Sequence, residues 1–316
     1  MNKNNLVLPI MGFVAVVLTF ASCNKNEDSE PVPISGNEAN HDYVDYGFTF
    51  DSTRMGKDTI NNVRFDTIVT RAIYFATCNI GATNPQDYGD YFAWGETETK
   101  SIFSYDNYFD KDNTGTTYVK YNDDFVKHIK GKDTLTQEPN FVITIGTTTE
   151  SVAILESSED VAMVKWGGSW RIPTAKMWEH LFNECYMVWT SGYNGSSSPG
   201  YIVYKAKSDT DKGKNKNHYA GYTSTESYSM QDSHIFLPAG GRYEGEERLD
   251  EGTTSSYWIA DMKRDGNKGY GDSGDIFFSS AGTHEIIKIW RYHGRLVRPV
   301  CCPIIDTKII RVEIKQ

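Results

Sequence analysis

Cys23 is the residue of this chain with the most definite chemistry. It closes the run Leu18-Thr19-Phe20-Ala21-Ser22-Cys23, behind a single lysine, Lys3, and an apolar stretch from Leu6 to Phe20. A positive start, a short apolar core and small residues before the cut form a secretory signal, and a cysteine just past the cut presents its thiol for acylation. The apolar stretch is short for a bilayer span and Pro9 interrupts it. Residues 1–22 are therefore read as a lipoprotein signal peptide and Cys23 as the lipidation site. Phe20 stands where Leu or Val is usual, and a plain cleaved signal is the alternative.

Four other thiols follow: Cys78, Cys185, Cys301 and Cys302. An oxidising compartment allows pairing, but four cysteines admit three connectivities and spacing does not choose among them. A bridge between the adjacent Cys301 and Cys302 would strain the peptide that joins them. Cys185 lies on an apolar helical face and should behave as a core hydrophobe. Unbridged thiols are expected, with a Cys78 link to Cys301 or Cys302 as the pairing to test. The seven histidines form no HxH or HExxH and the cysteines no CxxC, so no metal site is expected.

Among the acids, Asp110 to Gly115 has the opening spacing of a calcium loop, but the twelfth place, which needs a bidentate Glu, is Tyr121. A solvated acidic turn is the simpler reading. Asp261 to Asp272 fits worse, with Lys263 at a ligand place. Two carboxyls across a sugar bond could hydrolyse it, and Glu96, Glu244, Glu246 and Glu247 are the candidates. Acids are plentiful here, so a charged loop explains them as well. No GxSxG, ordered Ser-His-Asp or phosphate-cradling loop occurs, so neither an enzyme nor a cofactor is expected.

Binding chemistry is better represented. Tyr193 sits in the SGYNGSSSPG loop, Tyr243 follows Arg242, and Trp290, Arg291, Tyr292 and His293 are consecutive. A ring covers apolar C–H faces while a neighbouring guanidinium bonds hydroxyl or carboxylate oxygens. Tyr193, Arg242, Tyr243, Trp290 and Tyr292 are therefore the candidate ligand residues. Trp94, Trp166, Trp170, Tyr257 and Trp258 are assigned to the core. Arg171 and Arg298, each near a proline, are expected to tie loops to backbone carbonyls.

The elements that must position these residues are mostly strands. Tyr43 to Phe50 and Val63 to Ala76 have strand patterns, as do Thr117 to Tyr121, Phe141 to Ile145, Tyr201 to Lys205, His234 to Pro238, Tyr257 to Ala260, Ile276 to Ser279 and Leu296 to Cys301. Ile310, Val312 and Ile314 alternate with charges, which predicts a half-buried terminal strand. Two helices interrupt them, one from about Asp160 to Lys165 ahead of Gly167-Gly168, the other capped by Thr174 with Met177, Trp178, Leu181, Phe182 and Cys185 on one face. The polar stretch with Pro31 and Pro33 reads as a flexible tether over 23–42. A net charge of −10 argues against a nucleic-acid partner. Aromatic residues at 13% suit a β-rich core and exposed recognition surfaces alike.

Four blocks, YFATCNIGATNPQDYGDYFAWGE from Tyr74, WGGSWRIPT from Trp166, IFLPAGGRYEG from Ile235 and GRLVRPV from Gly294, resemble in this order the Fibrobacter succinogenes major paralogous domain of Bacteroidetes and Fibrobacteres surface lipoproteins. The resemblance spans roughly Tyr43 to Cys302. It implies a C-type lectin-like fold: α+β, two short helices among many short antiparallel strands with long loops. It also implies a domain over 43–302, a C-terminal strand or tail over 303–316, and a non-catalytic surface module. Phe75 stands where the family commonly has Trp, and Ile259-Ala260-Asp261 where it has Ser-Ser-Thr. Glu138-Pro139-Asn140 spells the calcium and sugar tripeptide of mannose-type lectins, but it precedes both helices and lacks a downstream Trp-Asn-Asp, so calcium-independent binding is expected. The stretch NKNEDSE behind Cys23 is similar to the signal that exports Bacteroidetes lipoproteins to the outer face of the outer membrane.

The expectation is thus an outer-membrane-anchored surface lipoprotein that binds glycan or a surface protein. A structural or adhesive subunit of a surface assembly is the alternative.

Overall fold

The computed structural model describes residues 41–54, 63–113, 118–122, 140–145, 148–216, 222–263, 272–279, 282 and 284–313. The expectations for Cys23, the tether up to Asn40, Thr114 to Thr117, the Glu138-Pro139 pair and Ile314 lie outside them. Among the described residues no helix is long and apolar enough to cross a membrane.

Strands β1 (Tyr43–Arg54) and β2 (Val63–Ala76) form a long antiparallel hairpin, from Tyr43 opposite Ala76 to Arg54 opposite Thr67. Tyr46, Phe48 and Phe50 are buried while Asp45, Gly47 and Thr49 face water, which is the alternation a one-sided sheet requires. A second hairpin, β3 (Asn140–Ile145) and β4 (Thr148–Ala153), joins β1 at Asp51 and Ser52. Helix α1 (Val161–Trp166) and the two-residue strand β5 (Trp170–Arg171) are held together by one carboxylate. Asp160 accepts from the backbone N–H of Ala162 at 2.9 Å, Met163 at 3.2 Å and Ile172 at 2.9 Å. It caps α1 and fixes the returning chain. Burial pushes its carboxyl up to about 6 against the pull of these donors.

Helix α2 (Ala175–Glu184) is the second expected helix. The Thr174 hydroxyl accepts from Met177 N–H at 3.3 Å, and the buried Asp261 carboxylate accepts from Ala175 N–H at 2.6 Å. Asp261 therefore adds a carboxylate to the Thr174 cap at the start of this helix. Met177, Trp178, Leu181 and Phe182 are buried, each worth about 1.5 to 3 kcal/mol. Trp178 lies 5.5 Å from Phe75 and 5.7 Å from Tyr257, so α2 is wedged between two sheets. Phe75 fills a core position.

Strands β6 (Cys185–Thr190), β7 (Gly200–Lys205), β8 (Lys214–Asn215) and β9 (His234–Pro238) form a sheet ordered β8-β6-β7-β9, with β8 parallel to β6. A short hairpin, β10 (Arg242–Glu244) and β11 (Glu247–Leu249), precedes the meander β12 (Thr254–Lys263), β13 (Asp272–Ser279) and β14 (His284–Ile289). Finally β15 (Val300–Cys301) and β16 (Ile304–Glu313) run in succession along the other side of β2. The main sheet is ordered β4-β3-β1-β2-β15-β5, with β16 also beside β2. The chain is α+β, mostly antiparallel strands with two short helices among the described residues.

Several expectations are corrected. Tyr118 makes one isolated bridge to Lys111, and the described residues 119–122 form bends instead of a strand. Leu296 likewise makes an isolated bridge to Tyr257, and the ladder begins only at Val300. Strand β16 is not half-buried: it is exposed nearly throughout, because β2 supplies its only described neighbour and nothing described covers its faces. Trp166 is partly buried, whereas Trp94, Trp170, Tyr257 and Trp258 are in the core as assigned.

All four described cysteines are unbridged. Cys301 packs with Ala76 and Trp170, and Cys302 packs in the main core, as strand alternation dictates for neighbours. Cys185 is buried, and its thiol is pushed far above its ordinary range. Alkylation without reduction should yield four unbridged peptides, with Cys78 labelled first in the native state; a quantitative bridge detected by mass would contradict this. Asp261→Ala should destabilise the fold by about 1 to 3 kcal/mol in denaturant unfolding, through the lost cap and the orphaned Ala175 N–H. An unchanged midpoint would show that α2 does not need it.

Candidate functional site

The candidate site is built on Trp290 to Arg295, where a turn closed by His293 N–H on the Trp290 carbonyl at 3.2 Å leads into single bridges at Gly294 and Arg295. Arg291, His293 and Arg295 are buried. The guanidinium of Arg291 donates to the Tyr121 carbonyl at 2.7 Å, lies 3.5 Å from Asp110, and stacks over Tyr118 at 4.3 Å and Trp94 at 4.7 Å. That of Arg295 lies 5.7 Å above Trp258. These anchors leave Trp290 and Tyr292 on the outside. Their rings stack at 5.9 Å with 20° between planes; Trp290 is 51% exposed and Tyr292 partly so.

A second element supplies the polar part. Tyr243 and Gly294 exchange backbone hydrogen bonds of 3.0 and 2.9 Å, which fixes β10 beside the aromatic pair. Only glycine fits at 294, since a Cβ there would come within 2.9 Å of Phe103 and Tyr243. The Arg242 guanidinium donates to Glu244 at 2.8 Å and to Asp250. Burial pushes the Glu244 carboxyl up, but the Arg242 hydrogen bond together with the surrounding positive charge holds the group below its ordinary range. His293 Nδ1 lies 3.9 Å from Glu244, and the imidazole packs on the Tyr292 edge at 4.8 Å. Burial, then the charge of Arg295, pushes His293 down to about 4, so it is neutral near pH 7. Tyr105, in a single 3-10 turn, packs edge-on against Tyr292 at 5.8 Å and donates to Asp112 at 2.8 Å.

The Tyr243–Gly294 pairing thus brings the strand of Arg242 and Tyr243 to the segment that carries Trp290 and Tyr292, but with unequal access. Tyr243 is partly buried against Tyr91 at 4.8 Å and Phe103 at 5.5 Å, so it supports rather than faces solvent. Tyr193 is the clear correction. It is buried on another sheet, stacked on Phe236 at 4.1 Å with its hydroxyl 2.9 Å from His234 Nε2. Its loop folds back and uses the ring as core. Glu244 and Tyr105 complete the site and were not singled out for binding, because their proximity arises from bridges distant in sequence, whereas Arg291 and His293 of the expected exposed run Trp290 to His293 are buried.

The acids read as a calcium loop or catalytic pair have other employment. Asp110 is buried and accepts from the N–H of Lys120 and Tyr121, with Arg291 beside it; it is not a solvated turn residue. Glu96 accepts from Lys100 and from Phe109 N–H at 3.1 Å. Among the described residues no three His, Cys, Asp or Glu side chains gather as a metal site. A separate open cleft of about 190 Å³ lies between α2 and β14, lined by Glu179, Phe182, Asn183, His284, Glu285 and Ile286.

No protein-family model, curated protein or solved structure matches this chain.

The state of His293 has a measurable consequence. Its pKa is about 4 folded against 6.5 in an ordinary environment, so the unfolded chain binds the extra proton between these values. The contribution is complete above pH 6.5 and is lost as pH falls towards 4. Unfolding midpoints should drop across that window, with a shallower drop in His293→Gln. Parallel curves for the two proteins would contradict the assignment.

Proposed function

We propose that this chain is a surface-displayed, non-catalytic binding module, with a C-type lectin-like fold of the major paralogous kind, that holds glycan on the Trp290–Tyr292 shelf. The observation that carries the reading is the stacked Trp290–Tyr292 pair, on a segment that the Tyr243–Gly294 hydrogen bonds tie to the strand bearing Arg242 and Glu244. Indole and phenol faces suit sugar C–H faces, while a fixed carboxylate and guanidinium suit ring hydroxyls. The acids Glu244, Glu246 and Asp250 around Arg242 favour a neutral sugar over an anionic one. Support for the family reading comes from contacts among its four blocks: Arg171 pairs with Val300, Phe92 with Arg295, and Tyr91 donates to the Gly240 carbonyl. Acylation at Cys23 and the following NKNEDSE would anchor the module at the outer face of the outer membrane.

A second reading, a structural or adhesive subunit, is favoured by a different observation: the long uncovered strand β16.

A neutral-glycan array with residues 34–316 tests the first reading. Trp290→Ala should weaken retention by about 30-fold, or ~2 kcal/mol, with EDTA without effect. No glycan retained, wild-type affinity in folded Trp290→Ala and Tyr292→Ala, or abolition by EDTA would contradict it. Fatty-acid probe labelling should be lost in Cys23→Ala; equal labelling of mutant and wild type would refute the anchor.

A further inference from the structure

We infer that two copies of this chain pair through strand β16, antiparallel and edge to edge, about a two-fold axis that passes between their Ile309 residues. This rests on β16 and on the second reading, and it does not require the glycan shelf.

Among the described residues β16 pairs on one side only, with β2, so ten residues offer a row of backbone donors and acceptors on the other. The devices that ordinarily blunt such an edge are weak beyond Asp306, the one register shift lying between Ile304 and Asp306. No proline lies between Ile304 and Glu313, and the register with β2 runs without a bulge from Asp306 to Glu313. Its two cations are neutralised within the strand: Lys308 is 3.1 Å from Asp306 on one face, and Arg311 is 3.3 Å from Glu313 on the other. In a chain of net charge −10 this edge is neutral, so a like strand can approach without repulsion.

Apolar exposure points to the same strand. Ile309 is 73% exposed and Phe65, two residues along the same face of β2, is 56% exposed. That face is the one which buries Phe50 and Ile73 nearer the core; it continues outward past the end of the core.

Charge and the length of paired strand together select the register, since centring on Thr307 opposes Asp306 to Lys308 but pairs only Ile304 to Ile310, whereas centring on Ile309 pairs Ile305 to Glu313. A two-fold axis normal to the sheet keeps every residue on its own face, so opposed residues are separated by an even number along the sequence. Centring on Lys308 or Arg311 would oppose like charges. Centring on Ile310 would set Ile309 against Arg311. With Ile309 at the centre, Ile309 faces its own copy, Thr307 faces Arg311, Lys308 faces Ile310 and Asp306 faces Val312. No like charges meet, and the most exposed apolar side chain is covered.

The test uses residues 34–316, the unit into which contacts group the described fold. Analytical ultracentrifugation over a concentration series should give a monomer–dimer equilibrium, weakened at least about tenfold by Ile309→Lys. Opposed Cα atoms lie about 4.5 to 5.5 Å apart, within disulfide range. Ile309→Cys should therefore form a covalent dimer on mild oxidation, and Thr307→Cys, displaced from its own copy, should not. A monomer at every concentration, a dimer unaffected by Ile309→Lys, or equal cross-linking at 307 and 309 would overturn the inference. Glycan retention measured on the Ile309→Lys monomer separates this outcome from failure of the shelf reading.

Discussion

The guanidinium of Arg298 is fully buried, and its hydrogen bonds among the described residues go to an amide and backbone carbonyls. It donates through Nε to the Asn79 side chain at 2.8 Å, through Nη1 to the carbonyls of Ala76 and Thr77, and through Nη2 to the Phe236 carbonyl at 2.8 Å. Burial lowers its pKa, yet an arginine keeps its proton in a protein interior, so carbonyl dipoles must stand in for water. Three strands converge on this one side chain: the end of β2, the middle of β9 and the approach to β15. Removing it would leave several buried carbonyls without donors, each loss worth roughly 1 to 3 kcal/mol.

Once Arg298 is fixed, the preceding segment has little freedom. Val297 accepts from Ile80 N–H at 3.0 Å, Leu296 from Trp258 N–H at 3.0 Å, and Arg295 from Phe92 N–H at 3.0 Å. Arg295 and Arg291 then stack on core aromatics, and the turn over residues 290–293 leaves Trp290 exposed and Tyr292 partly so. In the proposed function, a shelf held this way would present its rings without the entropy loss of ordering a loop. The same C-terminal run continues beyond the core as β16, so shelf and open edge are two parts of one segment, separated by the clamp.

Much of this was legible in sequence where one period dominates. The face of α2, the Thr174 cap and the strands Val63–Ala76 and His234–Pro238 follow from local pattern and capping chemistry. Arg298 was expected to bind backbone carbonyls, and it does. Strand β6 was missed because it starts at Cys185, the residue that also caps α2 and completes its apolar spacing. In β14, Ile286 and Ile287 are adjacent, and period two is broken. Tyr193 was misplaced because a Gly- and Ser-rich loop gives no sign that its ring returns to Phe236. The site was half legible: Trp290, Tyr292 and Arg242 carry recognisable chemistry, but Glu244 and His293 meet only through the pairing of Tyr243 with Gly294.

Amide hydrogen exchange in wild type and Arg298→Met tests the central role of this clamp most directly. Ile80, Phe92, Leu296 and Trp258 donate the backbone bonds that join the converging strands, and in the wild type their amides should exchange only with global unfolding. In the variant these four should lose protection together and by a common factor. Loss confined to the residues beside position 298, or protection unchanged, would show that the segment is held in place without it.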